Sequence, residues 1–80
     1  MVQAVILVKI SPNIKRRAPP SKFAGDVARI SGVVDAYAVF GRFDYAVFLE
    51  AAGLADLRKT VDKVVSLEGV KSSETLIETS

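Results

Sequence analysis

The chain has 80 residues, half of them apolar, with 11 basic residues, 9 acidic residues, no Cys and no His. That length supports one domain, and the missing Cys and His exclude a disulfide framework, a thiolate zinc site and imidazole acid–base chemistry. The net charge of +2 is local, because Lys9, Lys15, Arg16, Arg17 and Lys22 all precede the first acidic residue, Asp26. No basic face that could follow a nucleic-acid backbone is expected.

Val2 to Ile10 is apolar on both alternating sets at its centre, the pattern of a central strand covered on both sides. Ser11 to Ser21 follows as a loop, with three prolines, Asn13 and the basic triplet Lys15, Arg16 and Arg17. A helix is predicted to open near Pro20 or Ser21, because Phe23, Val27 and Ile30 fall at helical spacing over Lys22 to Ile30. Gly32 has the place of its C-terminal cap.

A second strand is expected over Val33 to Phe40 and a third over Phe43 to Ala51, joined by a tight reversal at Gly41 and Arg42. Phe43 and Tyr45 then share one face of the third strand, with Asp44 on the other. Leu54, Leu57, Val61 and Val64 mark a second helix ended by Gly69, and Val70 to Thr79 reads as a charged edge strand.

Two internal matches underlie this order: Ile30-Ser31-Gly32-Val33 with Leu67-Glu68-Gly69-Val70, and Ala4-Val5-Ile6-Leu7 with Ala46-Val47-Phe48-Leu49. Two βαβ units in tandem with right-handed crossovers predict an α+β, ferredoxin-like βαββαβ fold: a four-stranded antiparallel sheet with both helices on one face. The uncovered, apolar face is expected to pack against another copy. No spanning helix and no signal peptide are predicted, so a cytoplasmic protein is expected.

Catalytic means are few. Glu74 and Glu78 are the only acidic pair close together on one predicted face, and they lie where edge charges normally guard against strand pairing. Gly41 lacks the further glycines of a phosphate-binding loop. Two other readings remain: a single-stranded RNA module stacking bases on Phe43 and Tyr45, and an enzyme of the dimeric α/β-barrel type. The RNA reading lacks the signature glycine–aromatic order and any aromatic in the first strand.

Gly41-Arg42-Phe43-Asp44-Tyr45 after a Val-rich strand, the Gly32-Val33 and Gly69-Val70 helix exits, and the closing Ser73-Glu74-Thr75-Leu76-Ile77 together resemble the effector-binding (RAM) domain of the Lrp/AsnC regulators. The resemblance runs from Val2 to Glu78. It implies a dimer built through the sheets, dimers gathered into ring-like assemblies, and a small effector, commonly an amino acid, held between dimers. It further implies regulation through a protein partner, without direct DNA binding, because no helix-turn-helix precedes the first strand. No cofactor and no metal are expected. In the family the first loop is usually a short Pro-Gly turn, and the position of Arg42 more often holds an acidic or small polar residue.

The candidate ligand-binding residues are Gly41, Arg42, Phe43, Asp44, Tyr45, Ser73 and Thr75. Asp44 would accept the ligand's ammonium, and backbone N–H groups around Gly41 and Arg42 would donate to its carboxylate. As the family pattern implies, Ser73 and Thr75 add hydroxyl contacts and the two aromatics wall the pocket.

Overall fold

A computed structural model describes residues 1–12 and 20–78. The elements are β1 (Val2–Ile10), α1 (Pro20–Ala28), β2 (Val33–Ala38), β3 (Tyr45–Ala51), α2 (Leu54–Val65) and β4 (Val70–Ile77). The four strands form one antiparallel sheet in the order β2-β3-β1-β4, so β1 and β3 are central as their apolar content requires. This is the predicted ferredoxin-like fold. The basic triplet Lys15, Arg16 and Arg17 lies outside the described residues.

One set of alternating strand residues faces the helices. Ile6 and Val8 from β1, Val47 and Leu49 from β3, Val27 from α1, and Leu57 and Val64 from α2 are fully buried together. Each such side chain contributes roughly 1.5–3 kcal/mol relative to exposure. α1 is built on Phe23 and Val27, one helical turn apart, and α2 carries Asp56 in its first turn and Lys63 in its last, both favourable to the helix dipole.

The exits from the two helices are copies of one another. Ile30 N–H donates to Val27 and Val33 N–H to Ile30, at 3.0 and 3.2 Å; Leu67 N–H donates to Val64 and Val70 N–H to Leu67, at 3.2 and 3.3 Å. Gly32 and Gly69 have φ of 102° and 98°, a region in which a Cβ is penalised, so glycine is required in both turns. The other internal match is out of structural phase. Ala4 and Ile6 belong to the helix-side core, whereas Phe48, the counterpart of Ile6, stands on the open side with Tyr37 against it. A shift of one residue reverses every side chain of a strand, so that sequence match joins opposite faces.

The open sheet face carries Val5 and Leu7 from β1, Ala46 and Phe48 from β3, Tyr37 from β2 and Leu76 from β4. Phe48, Leu76 and Tyr37 are 38, 50 and 54% exposed, while Val47 and Leu49 on the other face of β3 are buried under the helices. Among the described residues, no helix is long and apolar enough to cross a membrane.

Candidate functional site

The reversal between β2 and β3 is longer than the predicted tight turn. β2 stops at Ala38 and β3 begins at Tyr45, leaving six residues, 39–44, outside the strands. Gly41 has φ of 116°, as a reversal there demands, and a Cβ built on it would meet nothing within 4 Å. The loop is closed by Val39 N–H donating to the Asp44 carbonyl at 2.9 Å.

Asp44 ties this loop to β1 by two bonds. Its N–H donates to the Val8 carbonyl at 2.8 Å, and its Oδ2 accepts the Ile10 N–H at 2.8 Å. Where the β3 backbone leaves the ladder, the carboxylate supplies an acceptor to the neighbouring strand. The Lys9 ammonium donates to the Arg42 carbonyl at 3.4 Å, a further tie between β1 and the loop. Asp44 is thus held at the base of the hairpin, half-buried.

Tyr45 occupies a different place from the pocket wall expected of it. It is 7% exposed and belongs to the helix-side core, its ring tilted against Phe23 with centroids 4.8 Å apart. Burial, and next the Asp44 carboxylate nearby, push its hydroxyl above the usual tyrosine range. Phe43 is half-buried, and Arg42 is exposed. With Tyr45 under a helix, the proposed base-stacking pair of Phe43 and Tyr45 is not available on the open sheet. The aromatic pair found there is Tyr37 with Phe48, edge to face at 5.8 Å.

Ser73 and Thr75 do share a face of β4. They pair with Val8 and Ile6, so they lie on the helix side of the sheet, Ser73 exposed and Thr75 half-buried. Val8 also pairs with Tyr45 on its other side. Two interstrand steps therefore separate β4 from β3, about 10 Å at ordinary sheet spacing. The structure aligns Ser73 with the base of the hairpin across Val8. Within one copy, contact between their side chains is blocked by the intervening strand.

A cleft of about 270 Å³ lies elsewhere, between α1 and β2, lined by Ala24, Ala28, Val33, Val34, Asp35 and Ala36. Sequence reasoning missed it. The available signal was the short side chains of Ala24 and Ala28 on α1 and of Ala36 on β2, which leave room between helix and strand.

The fold and the hairpin define a ferredoxin-like α+β domain with one helix-free sheet face. The Lrp/AsnC ligand binding domain matches residues 3–80, and the chain belongs to that family. Among its relatives is the HTH-type transcriptional regulator LysM of Sulfurisphaera tokodaii, 28% identical over 76 residues, which cover 95% of this chain and 51% of the relative. The chain spans about half the length of the curated relatives it matches. Among solved structures, TTHA0845 from Thermus thermophilus superposes with a TM-score of 0.83 at 23% identity, over 100% of this chain and 95% of that one. The transcriptional regulator NMB0573/L-Met complex from Neisseria meningitidis superposes with a TM-score of 0.80 at 24% identity, over 99% of this chain and 50% of that one. The relatives are transcriptional regulators, and the effector-binding class of domain is the one to which this chain belongs.

Proposed function

We propose that this chain is a small-molecule sensing and self-assembling module that takes an amino acid as effector and acts on transcription or metabolism through a partner. The observation that carries the reading is the hairpin base. A half-buried carboxylate, Asp44, is fixed by the Ile10 N–H beside a loop whose Gly41 leaves open space. A carboxylate has room for several donors, so Asp44 can bind Ile10 and still receive an ammonium. Backbone N–H groups of the loop then take the ligand's carboxylate. Because β1 separates Ser73 from the hairpin in one copy, hydroxyls that complete the site come from Ser73 and Thr75 of a neighbouring copy.

The related fold solved as an L-methionine complex supports an amino acid as the ligand class. Both described helices pack on the sheet through Phe23, Val27, Leu57 and Val64, so neither is offered as a recognition helix for duplex DNA. The carboxylates of Asp35, Glu50 and Glu74, on strands β2, β3 and β4, disfavour a phosphate backbone along the sheet. A thermal-shift screen against the common amino acids tests the reading, since a ligand that binds only the folded state raises the melting temperature. A concentration-dependent rise for at least one amino acid is expected; a flat response across the set at millimolar ligand rejects an amino-acid effector.

A further inference from the structure

The rim of the hairpin carries more positive charge than negative. Lys9, on β1, extends its ammonium to the loop and donates to the Arg42 carbonyl at 3.4 Å, so two cationic side chains stand with the one carboxylate of Asp44. Arg42 itself is exposed and follows Gly41, where an added Cβ would meet nothing within 4 Å. Among the described residues, its side chain makes no ion pair.

The loop does not need that guanidinium to hold its shape. The bonds that fix it run from the Val39 N–H to the Asp44 carbonyl, from the Asp44 N–H to the Val8 carbonyl, and from Lys9 to the Arg42 carbonyl. All three use the backbone of residues 39–44. The positive φ falls on Gly41, and no residue other than glycine has one, so position 42 accepts any side chain without strain. An arginine here is free to serve a ligand.

The following inference rests on the effector reading, in which Asp44 takes the ligand's ammonium and loop N–H groups take its α-carboxylate. Lys9 and Arg42 then lack a counter-charge. A ligand with a neutral side chain leaves both cations uncompensated, and one with a basic side chain adds a third. A side-chain carboxylate supplies the missing anion. The planar fork of a guanidinium matches a carboxylate through two parallel bonds, and a nearby ammonium adds a point charge. An amide of the same shape offers one acceptor oxygen only, and its NH2 opposes the donors of the fork. We propose that Arg42, assisted by Lys9, selects an amino acid whose side chain ends in a carboxylate, the class of aspartate and glutamate.

Isosteric ligand pairs test this, because each acid differs from its amide in charge and hardly in shape. Calorimetry on the full chain, at one ionic strength, compares glutamate with glutamine, aspartate with asparagine, and glutamate with glutarate. For wild type, at least one acid should bind at least about tenfold tighter than its own amide, the difference between a charged and a neutral hydrogen-bonded pair. Arg42→Gln should bring that ratio close to one, and Arg42→Glu should place the acid below the amide. Glutarate, which has no ammonium for Asp44, should bind more weakly than glutamate. Circular dichroism checks that each variant keeps the fold, as the exposed position allows. Amides that bind as tightly as their acids, an Arg42→Gln variant that keeps the preference, or glutarate as tight as glutamate overturns the assignment. Silence toward every amino acid overturns the effector reading and this inference together, whereas binding without preference for the acids overturns this inference alone.

Discussion

Thr60 of α2 is packed so closely on Gly32 that a Cβ at residue 32 would lie 2.6 Å from the threonine Oγ1. The same hydroxyl donates to the Ser31 carbonyl at 3.2 Å, so the second helix is fastened to the turn leaving the first. Gly32 also accepts the Glu50 N–H at 2.9 Å, which joins that turn to β3. Gly32→Ala therefore meets two penalties. The left-handed backbone costs about 1–2 kcal/mol and the overpacking about 1–3 kcal/mol more. Urea unfolding should show a loss of roughly 2–5 kcal/mol on that basis. Adding Thr60→Ala should relieve the second penalty only, so the double variant should be less destabilised than the two single losses combined. Strict additivity would mean that the turn simply moves away from α2.

The open sheet face is expected to be the dimer interface. Phe48, Tyr37 and Leu76 form its exposed apolar part, with Val5, Leu7 and Ala46 beneath them. Packed against the same face of a second copy, this surface gives a self-complementary interface. Phe48→Asp would bury an unpaired carboxylate at its centre, a strongly unfavourable change. Light scattering at micromolar concentration should find wild type dimeric or larger and Phe48→Asp monomeric. A monomeric wild type would also remove the basis for a site completed by a neighbouring copy.

Alkaline titration offers an independent measure. The chain has two tyrosines and no tryptophan, so near-ultraviolet tyrosinate absorbance reports only Tyr37 and Tyr45. Both are raised above 10.0, Tyr37 chiefly by its hydrogen bond to Asp35 and Tyr45 chiefly by burial. A raised folded value favours the protonated form in the fold. The contribution to stability is therefore complete below the unfolded value of 10.0 and is lost as pH rises through the folded value. The unfolding free energy should fall as pH rises from 10.0 through the folded values, and Tyr45→Phe, which keeps the ring on Phe23, should reduce the slope. Asp35→Asn should lower the titration of Tyr37 alone. Two tyrosines titrating together at the ordinary value would contradict the placement of both.

The order of elements was legible because it rests on local signals: apolar alternation in β1 and β3, helical spacing through Phe23 and Val27, and glycine where φ must be positive. The side of the sheet was not legible. Val5 and Leu7 are as apolar as Ile6 and Val8, so composition does not say which set the helices cover, nor that Tyr45 joins the helix-side core. The hairpin looked tighter than it is, because Val39, Phe40 and Phe43 continue a strand-like pattern through a segment that has left the ladder. Asp44 next to the turn stood out as site-like. Its bond to Ile10 joins residues 34 positions apart, which no local signal reports. The cleft was hidden for the same reason, since its walls come from two elements.

Asp44 has two separable roles, and substitutions can divide them. As an acceptor it satisfies the part-buried Ile10 N–H, and as a charge it is the proposed partner of an ammonium. Asp44→Ala removes both. Leaving the Ile10 amide unsatisfied costs about 1–3 kcal/mol, so this variant should be visibly less stable without ligand. Asp44→Asn retains a carbonyl oxygen for Ile10 and should keep most of that stability. Both changes leave a bound ammonium without its counter-charge, which costs roughly 2–5 kcal/mol for a desolvated pair. Calorimetry with an amino acid identified by thermal shift should show at least tenfold weaker binding for each variant, with Asp44→Asn still near wild type in melting temperature and assembly. Unchanged affinity in Asp44→Asn would leave Asp44 only its part in the hairpin, and the effector site would have to lie elsewhere.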